Sequence, residues 1–228
     1  INVCNPVAVD KEYLMYVVDY AVKNKINHIQ INGPIHNPEI GNIDGMTIYR
    51  KYSNFNSEKD MAFIEKTKNA INEATIITSK NRIKVFVWHH ELEIPAGFAE
   101  TYPEICNDLG DIEVSHPIVR DFIENKIEDF FFEYPLVDGI ILTLHETRVP
   151  LLKLKNQKLD KVERVKYVTE LLYNACKKLG KELIVRPFAS IEEDYEMMTK
   201  AYEEISEDLP IMDKWTQFDW SLTLPHNT

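Results

Sequence analysis

Glycine is scarce in this chain. Its 228 residues include 7 glycines, and no apolar run is followed by the glycine-rich turn that cradles phosphate in nucleotide-binding sheets. Cysteine is scarcer still. Cys4, Cys106 and Cys176 are odd in number, far apart and without metal-ligand spacing, which argues against a disulfide framework and for inert thiols. No cofactor is expected, and no metal in the leading reading. No apolar run approaches the roughly 20 residues that a membrane-spanning helix requires. Basic residues are outnumbered, 26 Lys and Arg against 37 Asp and Glu, and a net charge of −11 argues against a nucleic acid partner. The chain opens Ile1-Asn2-Val3-Cys4 with no Met, basic stretch or apolar leader core. That start fits a removed export leader or a piece of a longer protein. Neither compartment nor oligomeric state can be read from it.

What is present is an alternation of short apolar runs with amphipathic stretches of helical period. Asp10 to Asn24 aligns Leu14, Val17, Val18, Ala21 and Val22 on one stripe, as in a helix packed on a sheet. Asn27 to Asn32 reads as a strand, halted by Gly33-Pro34. Ser57-Glu58-Lys59-Asp60 has the form of a capping box opening a helix to about Ser79. Ile83 to Trp88 lacks polar alternation and suits a strand covered on both faces. His116-Pro117 opens a helix whose inner side carries Val119, Phe122, Ile123 and Phe130. Val137 to Leu144 is the clearest strand. Asp160 opens the next helix, stopped by Gly180. Glu182 to Arg186 is a strand, Ser190-Ile191-Glu192-Glu193 a second capping box, and Ile211 to Phe218 a last strand.

With an opening strand near Asn2-Val3-Cys4, these are about six βα steps. Strict alternation means parallel strands joined by helical crossovers, either in a (β/α)8 TIM-type barrel or in an open doubly wound sheet. The long connections at 33–56 and 91–114 favour the barrel. They far exceed the usual 2–6 residues of a βα loop, and such expansion suits the C-terminal face, where barrels build their sites. The expectation is a single α/β domain over residues 1–228, a barrel cut short at its C-terminal end.

The strand ends gather polar, titratable and aromatic groups. Asn32 follows the second strand, His89-His90-Glu91 the third, His145-Glu146-Thr147-Arg148 the fourth, Arg186 the fifth and Gln217-Phe218-Asp219-Trp220 the sixth. Indole rings stack on the C–H faces of sugars, and Arg, His and Asn bond their hydroxyls or carboxylates. Glycoside hydrolysis needs one carboxylic acid to protonate the leaving oxygen and one carboxylate on the opposite side. Glu146 and Asp219 are the candidate catalytic pair. Asn32, His89, His90, Glu91, His145, Arg186 and Trp220 are candidate substrate-binding groups, with Trp220 a better stacking platform than Trp88. His89 and His90 are adjacent, so on a strand they face opposite ways.

The segments His89-His90-Glu91-Leu92-Glu93-Ile94-Pro95, Leu142 to Thr147, and Gln217-Phe218-Asp219-Trp220 with Pro225-His226-Asn227 resemble the barrel of family 67 α-glucuronidases. The resemblance implies an inverting glycoside hydrolase acting on a polysaccharide-derived bond. Glu146 would be its general acid, and Asp219 one of the two carboxylates that activate water. The second of those comes from a later strand that this sequence does not contain. Arg186 would suit a uronic acid carboxylate, because its fork binds carboxylates bidentately. Two other readings stay open: a carbohydrate-binding barrel without activity, and a metal-dependent hydrolase of the same architecture.

Overall fold

The computed structural model describes residues 2–3, 10–32, 43–57, 59–144, 147–187 and 192–212. Five strands are described: β1 (Asn2–Val3), β2 (His28–Asn32), β3 (Lys84–His90), β4 (Gly139–Thr143) and β5 (Glu182–Val185). They alternate with α1 (Lys11–Lys23), α2 (Ile43–Met46), α3 (Met61–Lys80), α4 (Phe98–Thr101), α5 (Pro117–Glu133), α6 (Lys161–Lys178) and α7 (Glu192–Glu203). All strand pairs are parallel, and the order across the sheet is β1-β2-β3-β4-β5. A doubly wound sheet reverses its order at a switch point. This sheet runs in one direction, as the wall of a barrel does. Ile211 makes a parallel bridge to Val185, where a sixth strand was expected. The remainder of that expected strand, to Phe218, lies outside the described residues.

Local chemistry explains the helix ends. Asp10 caps α1 by accepting from the Glu12 and Tyr13 amides, and His116 caps α5 ahead of Pro117. Asp160 and Glu163 form a reciprocal capping box on α6. Gly180, at φ 68°, supplies the left-handed turn into β5. The start of α3 differs from the sequence expectation. Its cap is Asp60, which accepts from the Phe63 amide, whereas the Ser57 hydroxyl donates to the Asn54 carbonyl. Asp at this position competes successfully because it sits at the last extended residue before the helix. The second expected capping residue, Ser190, lies outside the described residues.

One face of the sheet carries the main core. Ile29, Ile31, Val85, Val87, Ile140, Leu142, Leu183 and Val185 pack against inward residues of α1, α3, α5 and α6, including Val18, Ile71, Phe122, Phe130, Val168 and Leu172. The intervening residues point to the opposite face, because side chains alternate along a strand. There Phe86 and Ile141 are buried outside that core, and Phe86 stacks on His28 at 5.8 Å. Gly139 belongs to this face as well. A Cβ there would lie 2.8 Å from the Phe86 ring and 2.2 Å from the Glu182 carbonyl oxygen.

The charged run 153–158 is tied down. Asn107 donates to the Lys155 and Asn156 carbonyls, Gln157 bonds the Val114 amide and Ile112 carbonyl, and Lys158 donates to Glu113. The buried Arg164 guanidinium bonds the carbonyls of Leu151 and Leu154. Side chains of each loop satisfy polar backbone groups of the other.

Candidate functional site

Two groups of polar residues meet at the C-terminal ends of the strands, and the two faces of β3 separate them. On the face opposite the helices, the register aligns Asn32 with Trp88, and His90 with Thr143. The Trp88 indole N–H donates to the Thr143 hydroxyl at 2.7 Å. The Trp88 and His90 rings stack at 5.1 Å, and the Arg186 guanidinium lies 4.8 Å from the Trp88 ring. Trp88, His90 and Arg186 remain partly accessible, while Thr143 is buried. The strand ends thus offer an indole, an imidazole and a guanidinium side by side. Such a set can stack on a sugar ring and bond its polar substituents.

His89 and Glu91 project to the other face, and both side chains are fully buried. The expectation that they touch a ligand gives way to an internal role here. Glu91 accepts from the Lys126 ammonium at 3.0 Å and from the Glu93 amide at 2.7 Å, and pairs with His89 Nε2 at 2.9 Å. Lys126 also donates to the Glu93 carbonyl at 2.9 Å and lies 3.5 Å from Asp44. Burial alone would raise the Glu91 carboxyl, but Lys126 and then His89 hold it below its ordinary value. Burial likewise pulls on the Lys126 ammonium, yet Asp44, Glu91 and Glu93 hold it above its ordinary value. This is a paired, hydrogen-bonded buried charge, the only form in which full burial is tolerable.

Glu93 links the β3 exit to the β4 exit. Its carboxylate accepts from the Arg148 amide at 3.0 Å and pairs with Arg148 Nε at 3.2 Å. Burial nevertheless pushes the Glu93 carboxyl up to about 7, against the pull of Arg148, with Asp44 adding to the rise. Around Asp44 the Tyr49 hydroxyl donates to Oδ1 at 2.5 Å, and Lys59 donates to the Asp44 carbonyl at 2.7 Å. Burial lowers the Lys59 ammonium to about 8. These groups border a cavity of about 330 Å³ between the connections that follow β2 and β3.

Of the residues singled out from sequence, the structure brings Asn32, His90 and Arg186 to one strand-end face, for Asn32 by its backbone register. It sends His89 and Glu91 to the other. His145, Glu146, Asp219 and Trp220 lie outside the described residues. Sequence reasoning missed Asp44, Tyr49, Lys59 and Lys126. Lys126 carried a readable signal: it falls four residues after Phe122 and four before Phe130 on the apolar stripe of α5, where a cation needs a buried partner.

The fold has counterparts among solved structures. This is a glycoside hydrolase-like fold. The chain superposes on a GH138 enzyme targeting pectin rhamnogalacturonan II with a TM-score of 0.60 at 20% identity, over 92% of this chain and 28% of that one. On the GH20 exo-β-N-acetylglucosaminidase from Vibrio harveyi the TM-score is 0.58 at 11% identity, over 93% of this chain and 37% of that one. On dispersin B it is 0.56 at 8% identity, covering 96% and 65% respectively. The chain therefore spans between about a quarter and two-thirds of the length of these proteins. No protein family matches the chain in sequence, and no curated protein does. These neighbours support a glycoside hydrolase-like fold, and not family 67 in particular. Its α/β character and parallel sheet are those expected.

Proposed function

We propose that this chain has the (β/α)8-barrel fold of a glycoside hydrolase acting on a polysaccharide-derived carbohydrate. The observation that carries the reading is the alignment of Trp88, His90, Thr143 and Arg186 at the C-terminal ends of consecutive parallel strands, on the face the helices leave free. That is where barrels assemble catalytic groups. The likeness in fold to enzymes that act on rhamnogalacturonan II and on N-acetylglucosaminides supports the same chemistry class.

Within this reading Glu146, three residues past the end of β4, is the general acid. It protonates the glycosidic oxygen as the bond from the anomeric carbon to that oxygen breaks. Asp219, beyond the Ile211 bridge, helps take the proton from a water that attacks the same carbon from the opposite side, and configuration inverts. Arg186 is the partner for a uronate carboxylate in an α-glucuronidase-like specificity, with His90 and Asn32 on hydroxyls. His145 and Trp220 complete the proposed substrate contacts.

Glu146→Gln tests the acid role, since the amide keeps the shape and removes the proton. Turnover of a uronic-acid-bearing oligosaccharide should fall by roughly 10²–10⁴-fold, the usual contribution of a positioned proton donor, with binding retained. The anomer released by the parent protein, followed by NMR, should be the inverted one. Undiminished turnover in the variant would overturn the assignment.

A further inference from the structure

The cavity beside Asp44 and Glu93 shares no residue with the strand-end face of Trp88, His90, Thr143 and Arg186. It is walled by the connections after β2 and β3, by Phe63 of α3 and by Arg148 from the connection after β4, and its volume of about 330 Å³ lies at the lower end of the roughly 300–1,000 Å³ typical of small-molecule sites. Phe55 and Phe63 give it an apolar side, and Asn54 and Ser57 give it neutral hydrogen-bonding groups.

Its charges are unequal in what they have left to offer. The Lys59 ammonium is committed to the carbonyls of Asp44 and Thr47 and lies 3.3 Å from the centre of the Tyr49 ring. Arg148 bonds Glu93. Asp44 Oδ1 takes the Tyr49 hydroxyl, but Asp44 Oδ2 is buried and accepts nothing from any described group. A buried acceptor without a donor is costly, and native proteins rarely keep one without a reason. Among the described charged groups at the cavity, the buried unmet atom is thus an acceptor, Asp44 Oδ2. A ligand completing it must donate.

We propose that this cavity is a second ligand site, distinct from the strand-end face, which takes one hydroxyl-rich ring, neutral or amine-bearing, with Asp44 as its principal acceptor. A ring of this kind presents donors to Asp44 and Glu93 along its edge and C–H faces to Phe55 and Phe63. A carboxylate-bearing ring brings acceptors to acceptors and is disfavoured. The preference is thus opposite in sign to that of Arg186 on the other face, and a substrate carrying both kinds of unit would span the two.

The test uses three probes on one ring, glucose, glucosamine and glucuronate, titrated against the whole chain by NMR with amide assignments. Glucosamine should bind at least as well as glucose, and both at least fivefold better than glucuronate. The shifts should centre on Asn54, Phe55 and Gly97. Asp44→Asn removes one acceptor and keeps the shape, and should weaken binding about tenfold, the loss of one hydrogen bond to a charged group. Ala96→Trp, on the exposed rim of the cavity, places bulk at the mouth without touching the buried charges and should abolish binding if Asp44→Asn fails to fold. Glu146→Gln should bind like the parent, which separates this site from the proposed acid. Glucuronate binding best, no probe binding, binding unaffected by Ala96→Trp, or shifts centred on Trp88 and His90 would each overturn the proposal.

Discussion

The two faces of β3 solve the same problem in opposite ways. Both carry titratable and aromatic groups near the C-terminal end of one strand. On the helix side, His89 and Glu91 are sealed, and the Glu91 carboxylate pairs with both His89 and Lys126 at 2.9 Å. On the other side, Trp88 and His90 keep part of their surface and lean on Thr143 and Arg186. Residue type does not separate the two sets. Position within the two-residue repeat does. A histidine on a packed face becomes a structural group, and its neighbour one residue later becomes a candidate for binding.

The comparison breaks most sharply at Lys126. Lys126→Met leaves the Glu91 carboxylate buried without its cation, and unfolding by denaturant should show a loss of about 3–5 kcal/mol. A loss under 1 kcal/mol would mean that the network is not the anchor it resembles. On the opposite face the sensitive point is backbone proximity. Gly139→Ala drives a methyl against the Glu182 carbonyl and the Phe86 ring, which should cost about 1–3 kcal/mol as overpacking, read as a lower thermal midpoint. The smallest effect sharpens the boundary between the faces. Glu93 has a carboxyl raised from 4.5 to about 7 in the folded chain, so the folded state holds more protons than the unfolded one between those values. Stability from this group is then present at low pH and lost as pH rises from about 4.5 to 7, remaining lost above. Glu93→Gln should flatten that fall. Parallel stability-against-pH curves for the two proteins would show that Glu93 titrates normally.

α1, α5 and α6 begin at the caps that the sequence displays, because capping is a matter of a few adjacent atoms. The α3 start does not follow from its caps, since Ser57 and Asp60 are both good ones and only the path of the chain chooses between them. The strand-end inventory was legible as a list, but its division into two faces was legible only as the statement that His89 and His90 differ.

The sequence alone determined the alternation of helix and strand, the parallel crossovers that follow from it, and the two long connections that enclose the cavity. These are properties of periodicity and length, which need no distant partner. The tertiary structure decided the monotonic strand order, the pairing of Lys126 with Glu91 across 35 residues of chain, and the tie between Glu93 and Arg148 across 55. Such pairings depend on which surfaces meet in space, and a charge shows its partner only when burial makes one obligatory.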